Sequence, residues 1–334
     1  MKAIILAAGE GTRLSPLTDD WPKPLFPVGD RPVITYLFEL LKRYGIKDIV
    51  LNLHHLEDQI ESVLGDGSRY SVRISYSEEE DLLGTGGGVR RASRFWKGED
   101  VLVINGDNLL DLNLERLRLT HQATESSATM VLEPMGAHQE YTPIYMDKDS
   151  RIEAIGGQSQ SSPAYVFIGT QILGSDFIKL FPAKGPACLV NDGYMKVLHS
   201  RKKNLRLGGF ITTGYWREIS TFKGYWEANM DFLRGKSPSY FYRGREEFTR
   251  RGLHVGKDCS IGPHVTFNGP VYLGDSCEIG TGTTLGSHAL VGAGTTIGER
   301  CHLQNVIIWS GSKIRRGSRL QDLIITPFGK VKPL

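Results

Sequence analysis

From residue 255 onward a large apolar side chain recurs every six positions: Val255, Ile261, Phe267, Leu273, Ile279, Leu285, Val291, Ile297, Leu303 and Trp309. Glycine follows it at 256, 262, 274, 280, 286, 292 and 298. Four residues beyond each apolar member stands a mostly small or branched one: Cys259, Val265, Val271, Cys277, Thr283, Ala289, Thr295, Cys301 and Ile307. A strict six-residue repeat of this kind specifies a β-solenoid, in which each hexad forms one face of a coil. The large and the small member both point inward, and Gly or Asn eases the corner.

The preceding residues follow other periods. Lys2 to Ala7 is an apolar run suited to a buried strand, and Val33, Leu37, Leu40, Leu41 and Tyr44 fall at helical spacing. Ile46 to Leu53 returns to a strand pattern, and Val101 to Ile104 is a further buried-strand run that ends in Asn105-Gly106-Asp107. Strand, helix, strand in this order implies an α/β domain with a mostly parallel sheet covered on both faces. Ligands of such sheets sit at the carboxyl ends of the strands. The Gly9 loop and Asp107 both lie at such ends. A length of 334 residues fits two domains. We place an α/β domain at 1–235, a connector at 236–253 and the solenoid at 254–325. The connector is rich in charge, yet its aromatics Tyr240, Phe241, Tyr242 and Phe248 predict that it packs on something.

Composition narrows the classes. A net charge of +3 argues against a protein that coats nucleic acid. No segment approaches the ~20 apolar residues of a membrane span. The apolar start is barely long enough for a signal-peptide core and runs straight into Glu10, Thr12 and Arg13. The four cysteines, Cys188, Cys259, Cys277 and Cys301, show no metal-binding spacing and read as small buried residues in a reducing compartment. The cytoplasm is the expected location.

The stretch from Leu6 to Thr18 suits phosphate. Gly9 and Gly11 let backbone N–H groups turn toward an anion, and Arg13 adds a planar cationic fork. It is not a Walker A loop and lacks the third glycine of the dinucleotide fingerprint. Its continuation, Trp21-Pro22-Lys23-Pro24-Leu25-Phe26-Pro27-Val28-Gly29, places prolines on both sides of Lys23. They should stiffen an extended backbone and hold that ammonium in a defined place.

Gly-x-Gly-Thr-Arg-Leu-x-Pro-Leu-Thr followed by Pro-Lys-Pro-Leu resembles the signature of the sugar-1-phosphate nucleotidyltransferase family. Leu83-Gly84-Thr85-Gly86-Gly87-Gly88 and Asn105-Gly106-Asp107 extend the match over the first domain. The repeat resembles the left-handed β-helix of hexapeptide-repeat proteins, which several branches carry. The resemblance implies a Rossmann-like nucleotidyltransferase domain acting on an NTP and a sugar 1-phosphate. It implies that Leu6, Ala8, Gly9, Gly84 and Thr85 border the base and ribose. Gly11, Thr12 and Arg13 would hold the triphosphate, Lys23 would neutralise charge between phosphates, and Asp107 would bind Mg²⁺. Arg13, Lys23 and Asp107 are thus the candidate catalytic residues. The Thr-Gly-Gly-Gly stretch looks more like the mannose-, heptose- and N-acetylmuramate-phosphate branches, with mannose-1-phosphate guanylyltransferase-like proteins among them.

The family's second metal carboxylate is an Asp in W-x-D-x-G-T; here Trp216-Arg217-Glu218-Ile219-Ser220-Thr221 offers Glu218, one methylene longer, and Ser220 in place of Gly. Many family members carry Glu-Lys-Pro after a Gly-Arg-Ile-like turn, but here Asp149-Ser150-Arg151-Ile152 is followed by Glu153-Ala154-Ile155. This and the altered Glu218 segment motivate a second reading, a non-catalytic sensor that binds a sugar nucleotide. A third is a bifunctional enzyme whose solenoid transfers an acyl group through His264, His288 or His302. The simpler expectation is a solenoid that serves assembly and stability, with its open ends docked on the catalytic domain or on another chain in a homo-oligomer.

Overall fold

The computed structural model of the chain describes residues 1–136, 138, 140–157, 163–200, 202, 205–242, 248 and 252–333. Two compact units emerge, and neither is continuous in sequence. The first takes in Met1–Glu10 and Leu37–Trp216, the second Gly11–Tyr36 and Arg217–Leu334. Much of the expected connector, 243–247 and 249–251, lies outside the described residues.

The first unit holds a nine-stranded sheet among the described residues. Its strands are β1 (Lys2–Leu6), β2 (Asp48–Leu53), β3 (Arg73–Glu78), β4 (Val101–Asn105), β5 (Ala128–Pro134), β6 (Ile144–Met146), β7 (Ile152–Ile155), β8 (Ala164–Leu173) and β9 (Leu207–Ile211). The order is β7-β6-β8-β4-β1-β2-β3, with β5 paired to β8 and β9 to β5. The run β4-β1-β2-β3 is parallel throughout. β8 joins β4, β5 and β6 antiparallel. The parallel character expected from the sequence therefore belongs to the half of the sheet that carries the Gly9 loop and Asp107.

Continuous apolar strands require cover on both faces. Val101, Leu102, Val103 and Ile104 are all fully buried. Helical segments at Val33–Arg43 (α1), Glu57–Leu64 (α2), Gly84–Ala92 (α3) and Leu114–Ala123 (α4) separate the strands. Ile4, Val50, Val89, Val103 and Leu132 share one core with Phe177. The chain turns back between β2, on one side of β1, and β4, on the other. Ligands of open α/β sheets bind at such a switch point.

The second unit contains the solenoid. Coils stack in parallel at 18 residues per turn, as in Phe267↔Leu285↔Leu303 and Ile261↔Ile279↔Ile297. The inward residues Leu273, Ile279, Leu285, Val291, Ile297 and Leu303 form one core with the small members Val271, Cys277, Ala289 and Cys301. The period then breaks. A register shift between Gly286 and Ala289 makes the next turn 17 residues, so Ala289 pairs with Val306 and Val291 with Ile308. Ile308, not Trp309, fills the inward place, and Val306 rather than Ile307 is the small inward member. A short antiparallel return, Ile324↔Val331 and Ile325↔Lys330, ends the fold.

The glycines after the inward residues also work differently from the expectation. Their φ angles are ordinary, and the positive-φ corners fall on Asp258, His264, Ser276, Gly282, Gly294 and others. A methyl group at Gly274 would lie 2.6 Å from the Ala293 nitrogen, and at Gly262 2.8 Å from the Thr281 nitrogen. At 256, 262, 274, 280, 292 and 298 glycine is present because the next coil passes too close for a Cβ; Gly286, whose Cβ would come no nearer than 3.7 Å to Asn268, is the exception.

One outer face of the solenoid is apolar as well. Tyr272, Leu290, Ile307 and Ile324 form an in-register row and are at most 1% exposed. The helix Phe222–Leu233 (α5), capped by Thr221 accepting from Gly224 N at 3.0 Å, packs against the strand of this row that contains Leu290. Phe232 of α5 and Phe248 meet Tyr272 edge-on, each with centroids 5.5 Å apart. The solenoid is thus docked within its own unit. Among the described residues no helix is long and apolar enough to cross a membrane.

Gly280→Ala should therefore destabilise more than Gly294→Ala. The first methyl group would meet the backbone of Glu299, whereas Gly294 has open space and only its φ of +66° to lose. We expect a loss of about 1–3 kcal/mol for the first and about 1 kcal/mol for the second. Thermal melts of both variants measure it, and equal losses would return the role to corner geometry.

Candidate active site

In the first unit, polar side chains lock the strand ends that the sequence singled out. β1 ends at Leu6, whose carbonyl accepts from Gly106 N at 2.8 Å. This places the start of the Gly9 loop beside the residue preceding Asp107. Ala7 N donates to Asn52 Oδ1 at 2.9 Å, and Asn52 Nδ2 donates to Glu79 Oε1 at 2.8 Å. The second Glu79 oxygen accepts from Leu83 N at 2.9 Å. One carboxylate, 3% exposed, thus fixes both loops expected to border a nucleotide. A Cβ at Gly88 would lie 2.6 Å from both Asn52 Nδ2 and Glu79 Oε1, so that glycine makes room for the lock.

Gly84 and Thr85 are exposed at the start of α3. The N–H groups of Gly86 and Gly87 are taken by Ala187 O at 2.9 and 3.1 Å, and Thr85 Oγ1 accepts from Leu189 N at 3.1 Å. Two of the α3 N-terminal N–H groups are therefore taken by the chain itself, and Gly84-Thr85 form an exposed rim before them. Asp107 is 7% exposed at the switch point. Its neighbour Asn108 is held by donating to Ile168 O at 2.7 Å and accepting from Trp216 Nε1 at 3.3 Å.

The second unit carries the cations. Gly11 has a φ of +69°, and Thr12–Leu14 forms a single 3₁₀ turn that presents Arg13 to solvent. Thr18 Oγ1 donates to Gly11 O at 3.1 Å and folds the loop on itself. Lys23 is half-buried and does not sit on extended backbone. Pro22 is extended, but Lys23–Leu25 is another 3₁₀ turn, with Pro24 inside it. Proline's fixed φ suits a first helical turn as well as an extended chain, which is why the sequence alone did not separate the two. Phe26 N donates to Lys23 O at 3.0 Å and closes the turn.

Glu218 Oε1 lies 3.8 Å from Arg13 Nη2, whose side chain is 67% exposed. A pair so long and so wet adds little stability. Ser220 is 6% exposed and has no positive φ, so a serine is accommodated where the family pattern has Gly. Of the solenoid histidines, His264 occupies a positive-φ corner and His302 is exposed. His288 Nε2 accepts from Arg234 Nε at 3.2 Å. Burial, and then the Arg234 charge, push its pKa down.

Asn52 and Glu79 were not among the candidates. Asn52 is a polar residue in an otherwise apolar buried strand, a signal the sequence does contain. Glu79 sits in the run Glu78-Glu79-Glu80 and reads as solvated surface. Glu79→Gln should turn one acceptor into a donor facing Asn52 or Leu83 N, costing about 1–3 kcal/mol. Thermal melts with amide exchange at Ala7 and Leu83 check it; a variant as stable and as protected as the parent would remove the lock.

Comparison with known proteins places these features. Residues 2–235 match the nucleotidyl transferase family model, and residues 252–287 match that of the bacterial transferase hexapeptide (six repeats). The chain is 28% identical to a UTP–glucose-1-phosphate uridylyltransferase of Synechocystis sp., over 99% of this chain and 88% of that one. It is 27% identical to a mannose-1-phosphate guanylyltransferase of Mycobacterium tuberculosis, over 85% and 77% of the respective chains. Identity reaches 34% with an N-acetylmuramate alpha-1-phosphate uridylyltransferase of Neisseria meningitidis, over 66% of this chain and 94% of that one. HddC from Yersinia pseudotuberculosis, solved in complex with GMP-PN, shares the fold with a TM-score of 0.58 at 24% identity, covering 69% of this chain and 99% of that one.

Proposed function

The chain belongs to the nucleotidyl transferase family, and on that premise we propose that it joins a sugar 1-phosphate to a nucleoside triphosphate and releases pyrophosphate. Two observations support this reading. The Arg13 and Lys23 loop is built on two fixed turns, and a nearly buried Asp107 stands at the sheet's switch point.

A phosphate oxygen of the sugar phosphate attacks the α-phosphorus, the bond from that phosphorus to the β-phosphate bridge breaks, and pyrophosphate leaves. The attacking group is already an anion, so no general base is required. The obstacle is repulsion between polyanions and charge growing on the leaving group, which positioned cations relieve. Leu6, Ala8, Gly9, Gly84 and Thr85 border the base and ribose in this reading. Gly11, Thr12 and Arg13 hold the triphosphate, and Lys23 neutralises charge between the phosphates.

In this reading Asp107 and Glu218 are the carboxylates offered to Mg²⁺. Among the described residues no three His, Cys, Asp or Glu side chains group as a metal cage, and Mg²⁺ is commonly held by one or two carboxylates with phosphate oxygens. Asp107 would hold it, with Glu218 as the second carboxylate. Bound there, the ion would draw charge from the phosphate oxygens as pyrophosphate departs. The uridylyl and guanylyl relatives define the substrates to test: UTP and GTP, each with glucose, mannose and N-acetylmuramate 1-phosphates. Leu253, Val255 and Ile261 at the first coil are 37–41% exposed and support a homo-oligomer formed through the solenoid, which light scattering reads directly.

Pyrophosphate release should need Mg²⁺, an NTP and a sugar 1-phosphate together. Asp107→Asn should lower kcat on the order of a hundredfold, with a melting temperature within about 2 °C of the parent. Glu218→Asp should keep more activity than Glu218→Ala. Sugar nucleotide binding without turnover by any pair would replace the enzyme with the sensor reading.

A further inference from the structure

The 17-residue turn frees one side chain from the solenoid. Ile308 takes the inward place, and Trp309 turns out of the coil yet is 5% exposed. Its backbone stays tied to the coils, with Trp309 N donating to Ile325 O at 2.8 Å and Trp309 O accepting from Thr295 Oγ1 at 3.3 Å. Its ring meets Phe26 edge-on, with centroids 5.0 Å apart. The indole N–H donates to Tyr225 Oη at 2.8 Å, and that hydroxyl donates to Pro27 O at 2.7 Å. Tyr225 is fully buried and also meets Phe26 edge-on at 5.4 Å.

These rings grip the Lys23 turn from its carboxyl side. Phe26 is the residue whose N–H closes that turn, and its own carbonyl accepts from Val33 N at 2.9 Å. Two residues beyond Pro27, Gly29 N donates to Asn229 Oδ1 at 3.1 Å. A side chain at Gly29 would press on the Phe232 ring, 2.8 Å from its tip. α5 therefore holds Pro27 and Gly29, whereas Phe26 is held jointly by α5 and the solenoid.

We propose that Trp309 is a positioning residue for Lys23, so that the solenoid takes part in the reaction through this one side chain as well as in stability. The inference rests on the role given to Lys23 above. It replaces the expectation of a tail that serves assembly and stability only. Displacement of a catalytic group by about 1 Å can cost about a hundredfold in rate, so the rings that hold Phe26 would act through the place they give Lys23.

The test compares the full-length parent with Trp309→Phe, Trp309→Ala and Ile314→Ala. Ile314 lies in the coil core, 5% exposed and away from these rings, and controls for loss of solenoid stability. Amide exchange across residues 22–29 is measured on all four, and kcat and KM on the best NTP and sugar 1-phosphate pair. We expect exchange at Phe26 and Gly29 to quicken in Trp309→Ala and less in Trp309→Phe, with none in Ile314→Ala at matched distance below its melting point. We expect kcat to fall roughly ten- to a hundredfold in Trp309→Ala and several-fold in Trp309→Phe, with KM for the sugar phosphate nearly constant. Trp309→Phe keeps an aromatic filler and serves if the alanine variant does not fold. Unchanged exchange across 22–29 in the folded Trp309 variants overturns the proposal whatever the rates, and so does an equal kcat loss in Ile314→Ala. A parent silent with every pair, alongside quickened exchange, would leave the positioning intact and sink the enzymatic reading instead.

Discussion

An apolar row on the outside of a β-helix cannot be left in water, and Tyr272, Leu290, Ile307 and Ile324 form such a row. Each large apolar side chain buried contributes about 1.5–3 kcal/mol, so covering the row is worth a sizeable part of an ordinary domain's net stability. Helix α5 supplies part of that cover, and Phe232 and Phe248 layer over Tyr272. The rest of the second unit follows from that contact. α5 also reaches Pro27 and Gly29 through Tyr225 and Asn229, so the loop carrying Arg13 and Lys23 belongs to the same compact unit as the solenoid.

This grouping changes the meaning of a domain boundary. The sequence period changes near residue 254, and a division there is natural. Packing instead draws Gly11–Tyr36 together with Arg217–Leu334 and leaves Met1–Glu10 with Leu37–Trp216. The chain passes from one unit to the other between Glu10 and Gly11, inside the glycine loop that follows β1. The candidate residues divide accordingly: Gly84, Thr85 and Asp107 lie in the first unit, Gly11, Thr12, Arg13 and Lys23 in the second.

Rigidity in the first unit has a different source. Asn52 and Glu79 are buried polar groups whose donors and acceptors are largely matched by one another and by the Ala7 and Leu83 N–H groups. A buried carboxylate with no such partners would be expensive. Satisfied, it fixes two loops at once and holds them more sharply than apolar packing would, because hydrogen bonds are directional.

How much was legible follows from the range of each interaction. The hexad repeat, the buried strands β1 and β4, the helix at 33–43 and the glycine loop after β1 are patterns in neighbouring residues, and local sequence determined them. The Lys23 turn, the 17-residue coil, the cover of the outer row and the Asn52–Glu79 lock were decided only by tertiary structure. Trp309 shows why. By count it continues the period of Leu303, but one residue dropped from the third coil moves Ile308 inward and sends the indole to Phe26. A six-residue count cannot register a shortened corner, because the corner is set by pairing with the coil before it. Glu79 is the same case in polar form: its neighbours in sequence make it look solvated, and its burial depends on Asn52, 27 residues away.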